Sequence, residues 1–147
     1  MRPTKPLSIM LLALISAVGC HTPVAPDGAT TIDTLVASLR QQGAKVERME
    51  ILPRSAYPYF STQAVRLQVN GIDVQVFEFS SAAESDANAK SISPTGTPVG
   101  ATQITWVGTP HFYRRDRLIV LYVGQSAELG HLLENVLGPA FVDGQAA

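Results

Sequence analysis

Behind Thr30-Thr31, the apolar residues Ile32, Leu35, Val36 and Leu39 recur at i, i+3, i+4 and i+7. That spacing lays one apolar stripe along a helix, with a threonine to cap its start and Gly43 to stop it. Ala44 to Leu52 reads as extended, but Val46, Met49 and Ile51 break strict alternation, which predicts a bulge or a frayed edge before Pro53 ends the segment. Val65, Leu67 and Val69 then alternate with polar residues, as do Ile72, Val74 and Val76, and Asn70-Gly71 lies between the two runs. Asn-Gly accepts the positive φ that a two-residue turn demands, so the pair predicts a hairpin. Its second strand continues through Phe77 and Phe79, where the apolar residues change face and the strand end should be covered on both sides.

Ser81-Ala82-Ala83-Glu84 has the form of a capping box and opens a helix to about Ile92. Pro94 to Pro98 is a rigid polar loop, after which Thr102 to Val107, His111 to Arg114 and Arg117 to Val123 are expected as a three-strand meander. The last of these is apolar on both faces, the mark of a central strand. Leu129, Leu132, Leu133, Val136 and Leu137 define a final amphipathic helix closed by Gly138-Pro139, and the chain after Phe141 is expected to fray. Hairpin connections dominate, which favours a mainly antiparallel sheet over a parallel one. The expected fold is α+β: a two-layer sandwich with about five to six strands and about three helices mostly on one face, in a single domain over 30–142 with a disordered tail over 143–147.

The start of the chain follows other rules. Arg2 and Lys5 precede a twelve-residue apolar stretch, Leu7 to Val18, that ends in Ala17-Val18-Gly19-Cys20. A membrane-spanning helix needs about 20 apolar residues, so this stretch is an export signal in form. Cys20 is the single cysteine of the chain. The run into it resembles the lipobox of bacterial lipoproteins, and the domain that follows resembles the small lipoproteins of unassigned function that bacteria export. The resemblance implies cleavage after residue 19, a diacylglycerol thioether on the Cys20 sulfur and a domain anchored on the extracytoplasmic side of a membrane of the cell envelope. A secretory cut after Gly19 without lipidation is the alternative reading of the same residues. One acyl chain holds weakly at about 0.8 kcal/mol per buried methylene, whereas two or three hold stably. Residues 20–29, with Pro23, Pro26 and Gly28, form the expected tether.

Charge narrows the partners. Loss of Arg2 and Lys5 with the leader takes the basic residues from 11 to 9 against 12 acidic ones, and no basic face suited to nucleic acid is apparent. With one cysteine there is no disulfide, and the domain must be held by packing. His21, His111 and His131 share no i, i+3 or i+4 spacing, so no local metal motif exists; hydrolase elbows, phosphate loops and cofactor motifs are absent as well. Glu78, Glu84 and Asp86 are the acids that could meet others in space for hydrolysis, although nothing in the sequence selects them.

Two constellations could form a contact surface. Trp106 with His111, Tyr113, Arg114, Arg115 and Arg117 interleaves aromatic and guanidinium groups along one expected hairpin, suited to a small anionic or aromatic ligand. The competing reading makes the aromatics cross-strand core and the arginines solubilising groups at a hairpin tip. Tyr57 and Tyr59, in the run Tyr57-Pro58-Tyr59-Phe60, either meet a partner or fold back as a lid on the core. The reading that follows is a non-catalytic envelope module that binds or scaffolds another envelope component. A small hydrolase or carbohydrate-active enzyme whose site is assembled only in three dimensions, and a ligand-binding or inhibitor domain, are the alternatives.

Overall fold

The structure, a computed structural model, describes residues 30–144; the leader, Cys20 and the tether lie outside the described residues. Helix α1, Ile32–Gln41, starts where expected. The Thr31 hydroxyl accepts from Thr34 N–H, and the Thr34 hydroxyl accepts from Thr31 N–H at 2.8 Å. Strand β1, Val46–Ile51, is an edge strand that pairs with β2, Ala64–Val69, through a register shift between Arg48 and Glu50. Met49 is the extra residue and points to solvent, so the broken alternation in the sequence reports a real bulge. β2 turns into β3, Ile72–Glu78, through Asn70 at φ 51° and Gly71 at φ 81°. Two successive left-handed residues match the right-handed twist of the strands they join.

Helix α2, Ala82–Ala89, follows, then strands β4, Pro110–Arg115, and β5, Leu118–Val123, helix α3, Ala127–Leu137, and a two-residue strand β6, Val142–Asp143. The sheet order is β1-β2-β3-β5-β4-β6, and every neighbouring pair is antiparallel. The chain is therefore α+β, with β5 central and buried on both faces.

Four expectations about the elements need correction. The segment 102–107 is not a strand: β4 is bordered by β5 and β6, which leaves that segment no ladder to join. Together with residues 92–101 it forms a strap across the sheet, with Ile104 and Trp106 turned inward and Val107 fully exposed. The chain past Phe141 does not fray at once, because Val142–Asp143 pairs with Phe112 and His111, and Gly144 N–H donates to the Pro110 carbonyl. Finally, α2 ends at Ala89 rather than near Ile92, which is drawn into a bridge with Val99, and the Glu84 carboxylate accepts from Ser80 N–H rather than from the cap residue.

The two sheet faces carry separate apolar clusters. On one, Leu35 and Leu39 of α1 and Leu129 and Leu133 of α3 pack on Leu67, Val74, Val76, Leu118 and Val120. On the other, Phe60, Phe77, Phe79, Phe112, Ile119 and Leu121 lie under Ala89, the strap and the aromatic loop around Tyr57 and Tyr59. The second face is thus closed mainly by irregular chain, and that is where a groove can open.

The start of α1 is tied to the far end of the sheet. Glu78 accepts from Ile32 N–H at 3.0 Å and from the Arg117 guanidinium at 2.8 Å. Removal of that carboxylate leaves a half-buried cation and a helix-end N–H without partners. For Glu78→Ala we expect a loss of about 1–2 kcal/mol in urea unfolding, between the values typical of exposed and buried pairs. Asp116, at φ 48° in the β4–β5 turn, accepts from the Thr30 hydroxyl and N–H. Those bonds, the hydroxyl's foremost, hold its carboxyl below the ordinary value of 3.8. A carboxyl lowered by folding contributes in full above its unfolded value and loses that contribution as pH falls through the folded one. Unfolding midpoints should drop as pH falls below about 4, and Asp116→Asn should lose part of that dependence. The rest belongs to acids lowered in the same way, such as Glu84 by the Ser61 and Ser80 hydroxyls.

Candidate functional site

Strand period explains the fate of the residues between Trp106 and Arg117. Successive side chains of β4 point to opposite faces, so His111, Tyr113 and Arg115 share the α1–α3 side while Phe112 and Arg114 share the other. Each arginine then finds a structural partner. Arg114 lies 3.5 Å from Asp86 of α2, Arg115 donates to the Val136 carbonyl in the last turn of α3, and Arg117 bridges to Glu78. The expected single surface of interleaved rings and guanidinium groups does not form, and the anionic ligand it was suited to has no arginine cluster to meet.

Trp106 instead joins Tyr57 and Tyr59. The three rings line a groove of about 550 Å³ between the aromatic loop and the strap, with Asp73, Gln75 and Gln103 among its polar walls. The loop is held from beneath. Tyr57 and Phe60 stand edge-on to Phe77 with ring centroids 5.2 and 4.6 Å away, and Tyr59 stands edge-on to Phe60 at 4.8 Å. The Arg54 guanidinium donates to the Ser61 carbonyl at 2.8 Å and clamps the loop ends. Across the groove, the Trp106 indole N–H donates to the Gly96 carbonyl at 3.0 Å, and its ring is edge-on to Phe112. Gly96 is required there: it has φ 81°, and a Cβ would stand 2.8 Å from Pro110 Cγ.

The groove is aromatic but not cationic. No lysine or arginine lines it, and its one carboxylate, Asp73, lies 3.6 Å from Arg66. Burial raises both phenols above their ordinary range, so Tyr57 and Tyr59 stay neutral. Among the described residues neither phenol hydroxyl has a hydrogen-bond partner, which leaves two donor-acceptor groups available to a ligand. Tyr57 and Tyr59 are therefore both lids on the core and walls of a groove, and the two readings of that loop are compatible.

A second cleft, of about 360 Å³, opens on the opposite face beside α3 and contains His111, Tyr113, Tyr122, Ser126, Glu134 and Asp143 in its walls. A serine, a histidine and an acid meet here, yet the bonds are those of a clasp. His111 stacks on Tyr122 with ring centroids 5.3 Å apart, its Nε2–H donates to the Gly124 carbonyl at 2.9 Å, and its Nδ1 meets the Asp143 carboxylate. The Ser126 hydroxyl caps α3 by accepting from Leu129 N–H. With both ring nitrogens engaged, the imidazole has none left to activate that hydroxyl, as nucleophilic catalysis would require. Glu78, Glu84 and Asp86 are spent on Arg117, on Ser61 and Ser80, and on Lys90 and Arg114; none of them lines either cleft. Among the described residues no group of three or more His, Cys, Asp or Glu side chains is arranged to hold a metal ion, and no helix is long and apolar enough to cross a membrane.

Sequence reasoning named Tyr57, Tyr59 and Trp106 as candidates in two groups, and the structure brings the three to one groove. It missed Asp143 and Glu134, the first because it sits in a segment without periodicity, the second because it is an ordinary polar position on a helix. No protein-family profile, no curated protein and no solved structure matches this chain.

Proposed function

We propose that this protein is a bacterial envelope lipoprotein, anchored through lipid on Cys20, whose domain binds a glycan chain in the aromatic groove without transforming it. The anchor reading rests on the basic start, the short apolar stretch and the small residues before the single cysteine. The binding reading rests on one observation: Tyr57, Tyr59 and Trp106, from segments far apart in the chain, converge on one groove that no basic side chain enters.

Such a lining suits a sugar chain. The axial C–H groups of a pyranose carry slight positive charge and lie flat on the electron-rich face of an aromatic ring. Side-chain amides, a carboxylate and hydroxyls at the rim then pair with the sugar hydroxyls, and Gln75, Gln103, Asp73 and Thr105 supply those groups. A nucleotide or phosphate would meet the Asp73 carboxylate, and the nearest guanidinium, Arg66, is already paired with Asp73 and with Glu50. Three half-buried rings held by packing are also pre-organised, which limits the entropy lost on binding.

Co-sedimentation with insoluble envelope glycan tests this reading. The full chain in detergent should pellet with the glycan, and Tyr59→Ala should reduce the bound fraction several-fold while the protein stays folded. Equal pelleting of the two forms would remove the groove as the binding face.

A further inference from the structure

The cleft beside α3 contains a polar group that the fold leaves unused. Tyr113 is 2 % exposed, yet among the described residues its hydroxyl has no hydrogen-bond partner. It lies beside Gly130 of α3, where a Cβ would stand 3.8 Å from the phenol oxygen, and Gly130 and Tyr113 both line the cleft. The ring is buried while the oxygen, at the cleft wall, faces the open space, where a ligand group can reach it.

Two carboxylates accompany it. Glu134 follows Gly130 by four residues, which puts it on the same side of α3, and Asp143 reaches in from β6. Burial, followed by the charges of Glu134 and Asp143, pushes the Tyr113 phenol up to about 12, so at neutral pH it is an uncharged hydroxyl beside two anions. The basic groups around the cleft are few. His111 is committed to Gly124 and Asp143, His131 stands at the rim 3.8 Å from Glu134, and no lysine or arginine lines the walls.

We propose that this cleft is a binding site for a primary ammonium group on a short alkyl stem, as in a lysine-type side chain or an amine headgroup. A primary ammonium carries three N–H donors, and the cleft offers three acceptors in its walls: the Tyr113 hydroxyl, the Glu134 carboxylate and the Asp143 oxygen that His111 leaves free. The small Ala127 and Gly130 leave room along α3 for the stem. The site is on the opposite sheet face from the aromatic groove and does not depend on it.

Calorimetric titration of the full chain in detergent tests the site with Nα-acetyl-lysine amide, ethanolamine and Nα,Nε-diacetyl-lysine amide, which lacks the charge. The lysine amide should bind at least tenfold more tightly than its diacetylated form. Tyr113→Phe, which keeps the buried ring, and Glu134→Gln should each weaken it by about tenfold, whereas Trp106→Ala should leave it unchanged. Ethanolamine binding as well as the lysine amide would point to a headgroup as the natural source, and binding of the lysine amide alone to a peptide. Equal affinity for the diacetylated form, no heat with any probe, or an unaltered affinity in folded Tyr113→Phe would overturn the proposal.

Discussion

Phe77→Ala is expected to remove about 3–5 kcal/mol of stability, the range for truncation of a fully buried aromatic. Phe77 is 0 % exposed near the end of β3, opposite Ala64 on β2 and Ile119 on β5, with the rings of Tyr57 and Phe60 edge-on to it. Its neighbours in the sheet cannot collapse into the space because their ladders fix them. The loop above can move, but only by giving up the contacts that hold Tyr57 in the groove wall. Domains of this size have about 5–15 kcal/mol in total, so the variant should sit near its unfolding threshold. Urea unfolding followed by circular dichroism gives the number, and Phe77→Leu should recover much of the loss. A loss below about 1 kcal/mol would mean that the aromatic loop does not pack on the sheet as described.

The second large effect is expected at Gly124. A Cβ there would stand 2.7 Å from Tyr122 Cζ and 2.8 Å from Cε2, closer than real side-chain carbons approach. Tyr122 is buried and its hydroxyl accepts from Ser126 N–H at 2.7 Å, so the ring cannot swing away without exposing the start of α3. The Gly124 carbonyl is also the acceptor for His111 Nε2–H. Gly124→Ala should therefore destabilise by about 1–3 kcal/mol, the range for overpacking. Combined with Tyr122→Phe, which removes the oxygen nearest the clash, it should cost less than the sum of the two separate effects, as coupled neighbours do. Strict additivity in urea unfolding would show that ring and glycine do not touch.

Why some of this was legible in the sequence and some not has physical reasons. Asn70-Gly71 declares its hairpin because few residues tolerate two left-handed positions in succession, and the stripes of α1 and α3 declare themselves because one apolar face must meet the sheet. The irregular spacing of Met49 reports the bulge in β1 for the same kind of reason. By contrast, β6 is two residues long and has no periodicity to detect, while 102–107 alternates as a strand would but spends its inward residues, Ile104 and Trp106, on a strap. The site was half legible. Tyr57, Tyr59 and Trp106 could be picked out as large rings in polar company, but their convergence depends on a strap and a loop that cross the sheet from separate parts of the chain. The arginines misled because contiguity in sequence is separation in a strand: Arg114 and Arg115 face opposite layers and end on different helices.

The proposed anchor and the proposed groove would together make a module that holds its ligand close to a membrane, and the groove is the part open to direct measurement. Trp106 is the single tryptophan of the chain and lies in the groove wall, so its fluorescence reports occupancy without a label. Titration of the full chain in detergent with a soluble N-acetylated hexose oligomer should shift the emission to the blue and saturate, with tighter binding as the oligomer lengthens toward the span of the groove. An emission spectrum unchanged by saturating oligomers of every length would contradict glycan binding in this groove.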